Sequence, residues 1–158
     1  MKQTMLYLTA GLLALFLQTT VFSHLPIKPD LILILVVCLG LSNKPVAGAV
    51  LAFLFGCLMD VFAGSTLGFF ALTKTLVFFF TYSVKGHLFF DYQPAKVLLI
   101  LASALIEAVI FLLLARLTFH WSIVPSSMAG LILGPILLTT LVAPVCFVLL
   151  KRSRVLVS

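Results

Sequence analysis

Hydrophobic residues fill six long segments of the chain, and polar residues are concentrated in the short stretches between them. The segments cover residues 4–22, 30–42, 46–62, 68–84, 96–119 and 129–150. Several of these uncharged runs approach the roughly 20 residues with which a helix crosses a bilayer. Because 63% of the 158 residues are hydrophobic, a soluble domain of this size could not bury them all. The pattern predicts an all-α integral membrane protein with about six transmembrane helices, forming a single domain over residues 1–158.

The second segment is shorter than the others and leaves the number of spans open. Residues 30–42 make a helix of roughly 20 Å, whereas the hydrocarbon core is about 30 Å thick. The segment either extends through its flanks, lies where the bilayer thins, or fails to span. Lys2 and the terminal amine are expected to hold the start of the first helix in the cytoplasm. We therefore prefer six spans with both termini cytoplasmic over five spans with an external amino terminus.

The chain carries a formal net charge of +6, yet its basic residues do not form a nucleic-acid-binding patch. Most of them lie singly at the ends of apolar segments, and a small cluster of three lies in residues 151–154. This is the positive-inside pattern of an integral membrane protein, and the cluster in the tail is expected to meet anionic lipid headgroups. Membrane lipids are therefore predicted as partners, and nucleic acid is not.

No sequence motif points to catalysis, a metal or a cofactor. Cys38, Cys57 and Cys146 lie within apolar segments without metal-binding spacing, so we interpret them as small buried side chains. The three histidines lie in separate loops and have no helical ligand spacing. Motifs of zinc proteases, serine hydrolases and phosphate-binding loops are missing from the sequence. We predict a protein that is not an enzyme and that has no cofactor.

Small residues recur every four positions along the third segment, which then ends in an acid. Gly48, Ala52, Gly56 and Asp60 form a slanted stripe along one side of a helix. Small side chains let helix backbones approach closely in lipid. We predict that this stripe is a helix-docking element for another protein's helix, with Asp60 orienting its outer end. Packing within the chain is the alternative.

Four ionisable residues lie within or near the apolar segments, where a mid-helix charge disfavours insertion by about 2.5–3.5 kcal/mol. Asp60 and Lys74 flank one tight turn, so an intramembrane ion pair is predicted between them. A substrate or proton site is the alternative role for these two residues. Glu107 lies deepest and must be either protonated or turned inward to a partner. Arg116 can extend its side chain outward to the interface.

Three features occur in a fixed order along the chain: Pro29-Asp30 before an apolar run, Gly56-x-x-x-Asp60, and Gly64-x-x-x-Gly68 before a Phe-rich helix. With these features the chain resembles the rod shape-determining protein MreD family of bacterial inner-membrane proteins. The resemblance covers essentially the whole chain in length and segment order. Its most specific part runs from Gly56 to Gly68.

The resemblance implies a non-enzymatic component of the machinery that elongates rod-shaped bacteria during peptidoglycan synthesis. It implies a bitopic MreC-like partner and, through it, the actin-like MreB and the synthase pair RodA and penicillin-binding protein 2. It also implies a fold similar to the substrate-binding S-components of energy-coupling-factor vitamin transporters. A small-molecule binder of the S-component type is therefore the alternative function.

Overall fold

The computed structural model describes residues 2–21, 29–42, 44–63, 68–85, 93–119 and 134–146. All the regular secondary structure in these ranges is helical. The helices are α1 (Lys2–Phe16, continued by the π-helical turn Leu17–Val21), α2 (Leu31–Leu41), α3 (Pro45–Ala63), α4 (Phe69–Lys85), α5 (Gln93–Phe119) and α6 (Gly134–Cys146).

These six helices correspond to the six apolar segments, so the prediction of an all-α chain is confirmed. Two helical stretches, Pro45–Ala63 and Ala95–Leu114, are long and apolar enough to cross a membrane. The three histidines, the turn at residues 64–67 and the basic tail at residues 151–154 lie outside the described residues.

Helix α2 lies at the centre of the bundle and packs against α1, α3, α4 and α5. Every residue from 32 to 40 is buried. Its 11 residues are about 16 Å long, which is roughly half the thickness of a hydrocarbon core. Its apolar side chains meet other helices on all sides, so the second segment is a core helix of the bundle.

Helices α2 and α4 run in the same direction. Near their first residues the side chains of Asp30 and Lys74 form an ion pair. At their last residues the Lys85 ammonium donates a hydrogen bond to the Ser42 carbonyl at 3.0 Å. This bond satisfies a carbonyl just after the end of α2, where no helical partner remains.

Helices α3 and α5 both run antiparallel to α4. Gly56 in α3 faces Ala71 near the start of α4, and Gly48 faces Phe78 near its end. In α5, Phe111 packs against the ring of Phe70 with the centroids 6.0 Å apart. The described helices thus alternate in direction from α2 to α5, which brings the ends of α3 and α5 and the starts of α2 and α4 to one side of the bundle.

Candidate functional site

A cluster of three charged side chains lies inside the bundle, near the starts of α2 and α4. The Lys74 side chain is 0% exposed and pairs with two carboxylates. One is that of Asp30, and the other is that of Glu107, whose Oε1 lies 2.5 Å from the Lys74 Nζ. An ammonium group without water is stable only when such partners surround it. The cluster therefore joins α2, α4 and α5 through charge.

Asp30 connects this cluster to two further groups. It is the residue that caps the start of α2, and its Oδ1 accepts a hydrogen bond from the Leu33 amide at 2.9 Å. Its own backbone amide donates to the hydroxyl of Thr139 in α6 at 2.8 Å. Thr139 is itself buried. A single acid thus caps α2, binds α4 and contacts α6, so four helices meet at the cluster.

A buried acid outside the cluster, Asp60, lies at the end of α3 and binds the start of α4. Its carboxylate accepts hydrogen bonds from the backbone amides of Gly68 at 2.9 Å, Phe70 at 2.8 Å and Ala71 at 3.2 Å. The Gly68 carbonyl accepts the first helical hydrogen bond of α4, from the Leu72 amide. Gly68 therefore holds the N-cap position, where it has no side chain to offer. Asp60 supplies the missing cap from the neighbouring helix.

The predicted ion pair between Asp60 and Lys74 is wrong in its pairing. Lys74 forms its ion pairs with Asp30 and Glu107, and Asp60 is bound to the first amides of α4. Lys74 lies six residues after Gly68, which is about 9 Å further along the helix axis. The two residues flank the same turn, as the sequence indicates. The Asp60 carboxylate, however, accepts hydrogen bonds from the backbone amides at the start of α4.

The predicted docking stripe is buried against α4 of the same chain. Gly48, Ala52, Gly56 and Asp60 are all buried. A Cβ atom added to Gly56 would lie 2.3 Å from the Ala71 Cα, so the two backbones are in direct contact there. The stripe is a helix-docking element, but its partner is internal. The prediction that it receives a helix from another protein is wrong, because α4 already covers it.

Arg116 is exposed on α5, whereas Glu107 faces inward to Lys74. The inward partner of Glu107 is thus the Lys74 ammonium, and this contact leaves open whether the carboxyl group is also protonated. Groups of three or more histidine, cysteine or acidic residues with metal-binding geometry are not found among the described residues.

The family model described as rod shape-determining protein MreD matches residues 2–153, which is nearly the whole chain. The chain belongs to the MreD family. No curated protein and no solved structure matches it. The likeness to S-components therefore stays a prediction. Membership identifies the chain as a membrane protein of a shape-determining family, in agreement with its two helices of spanning length.

In this MreD-family chain, the member of the ion cluster that sequence reasoning missed is Asp30. Two signals were available. Pro29-Asp30 directly before an apolar run is typical of a helix start, and Asp30 does cap α2. A lysine inside an apolar segment also needs an acid partner, and the chain has only four acids. Neither signal indicates that α2 and α4 lie side by side in parallel, which is what brings Asp30 to Lys74.

Proposed function

We propose that this MreD-family protein is a non-enzymatic scaffold in the inner membrane of bacteria, acting in the cell-elongation machinery that makes peptidoglycan. Its direct partner is an MreC-like bitopic protein, and through that partner it is linked to MreB, RodA and penicillin-binding protein 2. The observation that carries the proposal is the family match over residues 2–153.

The internal chemistry of the bundle supports a scaffold over a subunit that binds a small molecule. A ligand site needs polar groups that face a cavity and converge on the ligand. Here the ammonium of Lys74 is bound by Asp30 and Glu107, and the carboxylate of Asp60 is bound by backbone amides. These groups hold helices together. The vitamin-binding S-component role is therefore the less favoured alternative.

The partner surface is expected on the outward faces of the helices, because the glycine stripe of α3 is covered. Large apolar side chains are exposed along α1, including Phe16, and along α3, including Phe53. On α4 the ring of Phe79 is also half exposed. Lipid tails and the helix of a bitopic protein both fit such faces, since helix association in lipid depends on close packing.

Photo-crosslinking in native membranes tests the scaffold and locates its surface. A photoreactive phenylalanine analogue is placed singly at Phe16, Phe53 or Phe79, and adducts are identified by mass spectrometry. We expect an adduct with a bitopic protein of the elongation machinery from at least one position. The absence of any such adduct from all three positions contradicts the proposal. A small molecule retained by the purified protein in that case supports the S-component alternative.

The alternating helix directions support the proposed topology, with six spans and both termini in the cytoplasm. In such a bundle α2, α4 and α6 start on the outer side, where Asp30 and Gly68 lie. Reporters that are active only in the cytoplasm, fused after residue 158 or inserted between α3 and α4, test this arrangement. The terminal fusion is expected to be active and the internal one inactive, and the reverse result would contradict the topology.

A further inference from the structure

The ion cluster contains two carboxylates for one ammonium group. Asp30 and Glu107 both pair with Lys74, and among the described residues no second cation pairs with either acid. With all three groups charged, the cluster would have a net charge of −1 in the interior of a membrane protein. The side chains are only 0–20% exposed, so an uncompensated charge is disfavoured there. One additional positive charge, most simply a proton, would make the cluster neutral.

The surroundings of the two acids differ, and the difference indicates which one takes the proton. The charged form of Asp30 is stabilised by Lys74, by the Leu33 amide at 2.9 Å and by the positive end of the α2 dipole. Glu107 lies in the middle of α5, where every neighbouring backbone amide is engaged in the helix. Its donor among the described residues is Lys74, at 2.5 Å. Glu107 is therefore the less stabilised anion.

A buried hydroxyl group lies one helical turn before Glu107. Ser103 is 0% exposed, and its Oγ has no hydrogen-bond partner among the described residues. Residues four apart share one face of a helix, so Ser103 and Glu107 are neighbours on α5. The Ser103 Oγ makes no hydrogen bond to Glu107 in the structure. A serine hydroxyl can donate to a carboxylate or accept from a carboxyl group. Ser103 is therefore compatible with either protonation state of Glu107, and the other partners of the two acids decide where the proton lies.

The other described groups around Glu107 do not supply the missing charge. From α4 it faces Lys74, and from α2 it faces Asp30. From α6 the cluster receives Thr139, which is uncharged and accepts a hydrogen bond from the Asp30 amide. Arg116 is on α5 itself, but its side chain is exposed and lies nine residues, or about 13 Å, along the helix from Glu107.

We propose that the Asp30–Lys74–Glu107 cluster is a proton-binding site and that the side chain of Glu107 carries the proton at neutral pH. On release, the O–H bond of the Glu107 carboxyl group breaks and the proton passes to solvent base. The carboxylate that remains then competes with Asp30 for the single ammonium of Lys74. The contact between α5 and the α2–α4 pair thus depends on proton binding.

Infrared spectroscopy of the full chain in phosphatidylcholine vesicles tests this proposal directly. Protonated and ionised carboxyl groups absorb at separate frequencies, and the chain has only four acidic side chains. We expect a protonated-carboxyl band at neutral pH that disappears on strong alkalinisation. Glu107→Gln keeps the size and neutral charge of the protonated side chain, so the variant should fold and lack the band.

Two further variants make the assignment specific. Asp60→Asn removes a buried acid outside the cluster and should leave the band in place. Asp30→Asn leaves Glu107 as the only anion beside Lys74, so Glu107 should ionise and the band should be lost. A wild-type spectrum without the band at neutral pH overturns the proposal, whatever the variants do. The proposal is also overturned if the band persists in Glu107→Gln. It is overturned as well if Asp60→Asn removes the band while Glu107→Gln and Asp30→Asn keep it.

Discussion

The Asp60 carboxylate at the end of α3 accepts a hydrogen bond from the backbone amide of Phe70, in the first turn of α4, at 2.8 Å. An N-cap side chain normally makes this bond within its own helix. In this chain Gly68 holds the N-cap position, and the cap comes from eight residues earlier, on the antiparallel neighbour. The acid therefore fixes both the start of α4 and the depth at which α3 and α4 pack.

Replacing Asp60 with alanine is expected to destabilise the bundle by about 1–3 kcal/mol, because three amides at the start of α4 lose a charged acceptor. Asp60→Asn should destabilise the bundle less, because the side-chain oxygen of asparagine can still accept a hydrogen bond from these amides. Thermal unfolding in detergent measures the effect. The control is Val61→Ala, at the adjacent and 65% exposed position. Equal stability of Asp60→Ala and this control would contradict the capping role.

Gly68 has a φ of +101°, a backbone conformation that residues other than glycine rarely adopt. A Cβ atom added there would meet nothing within 4 Å, so only the backbone conformation disfavours a larger residue. Gly68→Ala is expected to lower the free energy of unfolding by about 1–2 kcal/mol. Gly68→Asn should lose less, because asparagine tolerates positive φ better. A thermal melt of Gly68→Ala that matches the wild type would exclude backbone strain at this turn.

The positions of the helices follow closely from the sequence, because long apolar segments leave few places for a helix to end. Pro45 begins α3, as expected for a residue that lacks an amide hydrogen. The role of α2 could not be predicted in the same way. An apolar helix is favoured equally by lipid and by a protein core, and only the packing of α1, α3, α4 and α5 around residues 32–40 decides between them.

The partners of the buried charges were harder to predict than the charges themselves. Asp60 and Lys74 are close in sequence and opposite in charge, which favoured a pair across the turn. The lysine instead reaches Asp30, which lies 44 residues earlier in the chain. Contacts of this kind depend on which helices are neighbours and on their relative depth. One sequence with generic apolar segments contains little information about either.

The two glycines of the α3 stripe are expected to differ in their tolerance of alanine. At Gly56 the new Cβ would lie 2.3 Å from the Ala71 Cα, so the helix backbones would have to separate. At Gly48 it would lie 2.6 Å from the ring of Phe78, which can move aside more easily. Overpacking of this kind costs about 1–3 kcal/mol, and we expect Gly56→Ala at the upper end of that range.

Thermal melts of the two glycine variants, with Val50→Ala at a 53% exposed position of α3 as the control, measure this difference. The melting temperature should be highest for the wild type and the control, lower for Gly48→Ala, and lowest for Gly56→Ala. If Gly56→Ala melts with the wild type but loses a co-purified partner, the stripe serves an external helix after all.

Replacing Lys74 with methionine keeps an unbranched side chain, one heavy atom shorter, but leaves Asp30 and Glu107 without their cation. Breaking a buried ion pair on one side costs about 3–5 kcal/mol, so this variant should accumulate poorly in membranes. Adding Asp30→Asn and Glu107→Gln makes the whole cluster neutral, so the triple variant should regain much of the lost stability. The comparison needs only the amount of folded protein and its melting temperature.

Double-mutant cycles then identify the partners of Lys74. Lys74→Met combined with Glu107→Gln should be less harmful than the sum of the single changes, because the variants share one interaction. Lys74→Met combined with Asp60→Asn should be additive within about 0.5 kcal/mol, since Asp60 serves the amides at the helix start. Strong coupling of Lys74 to Asp60, with none to Glu107, would restore the ion pair across the turn and contradict the cluster.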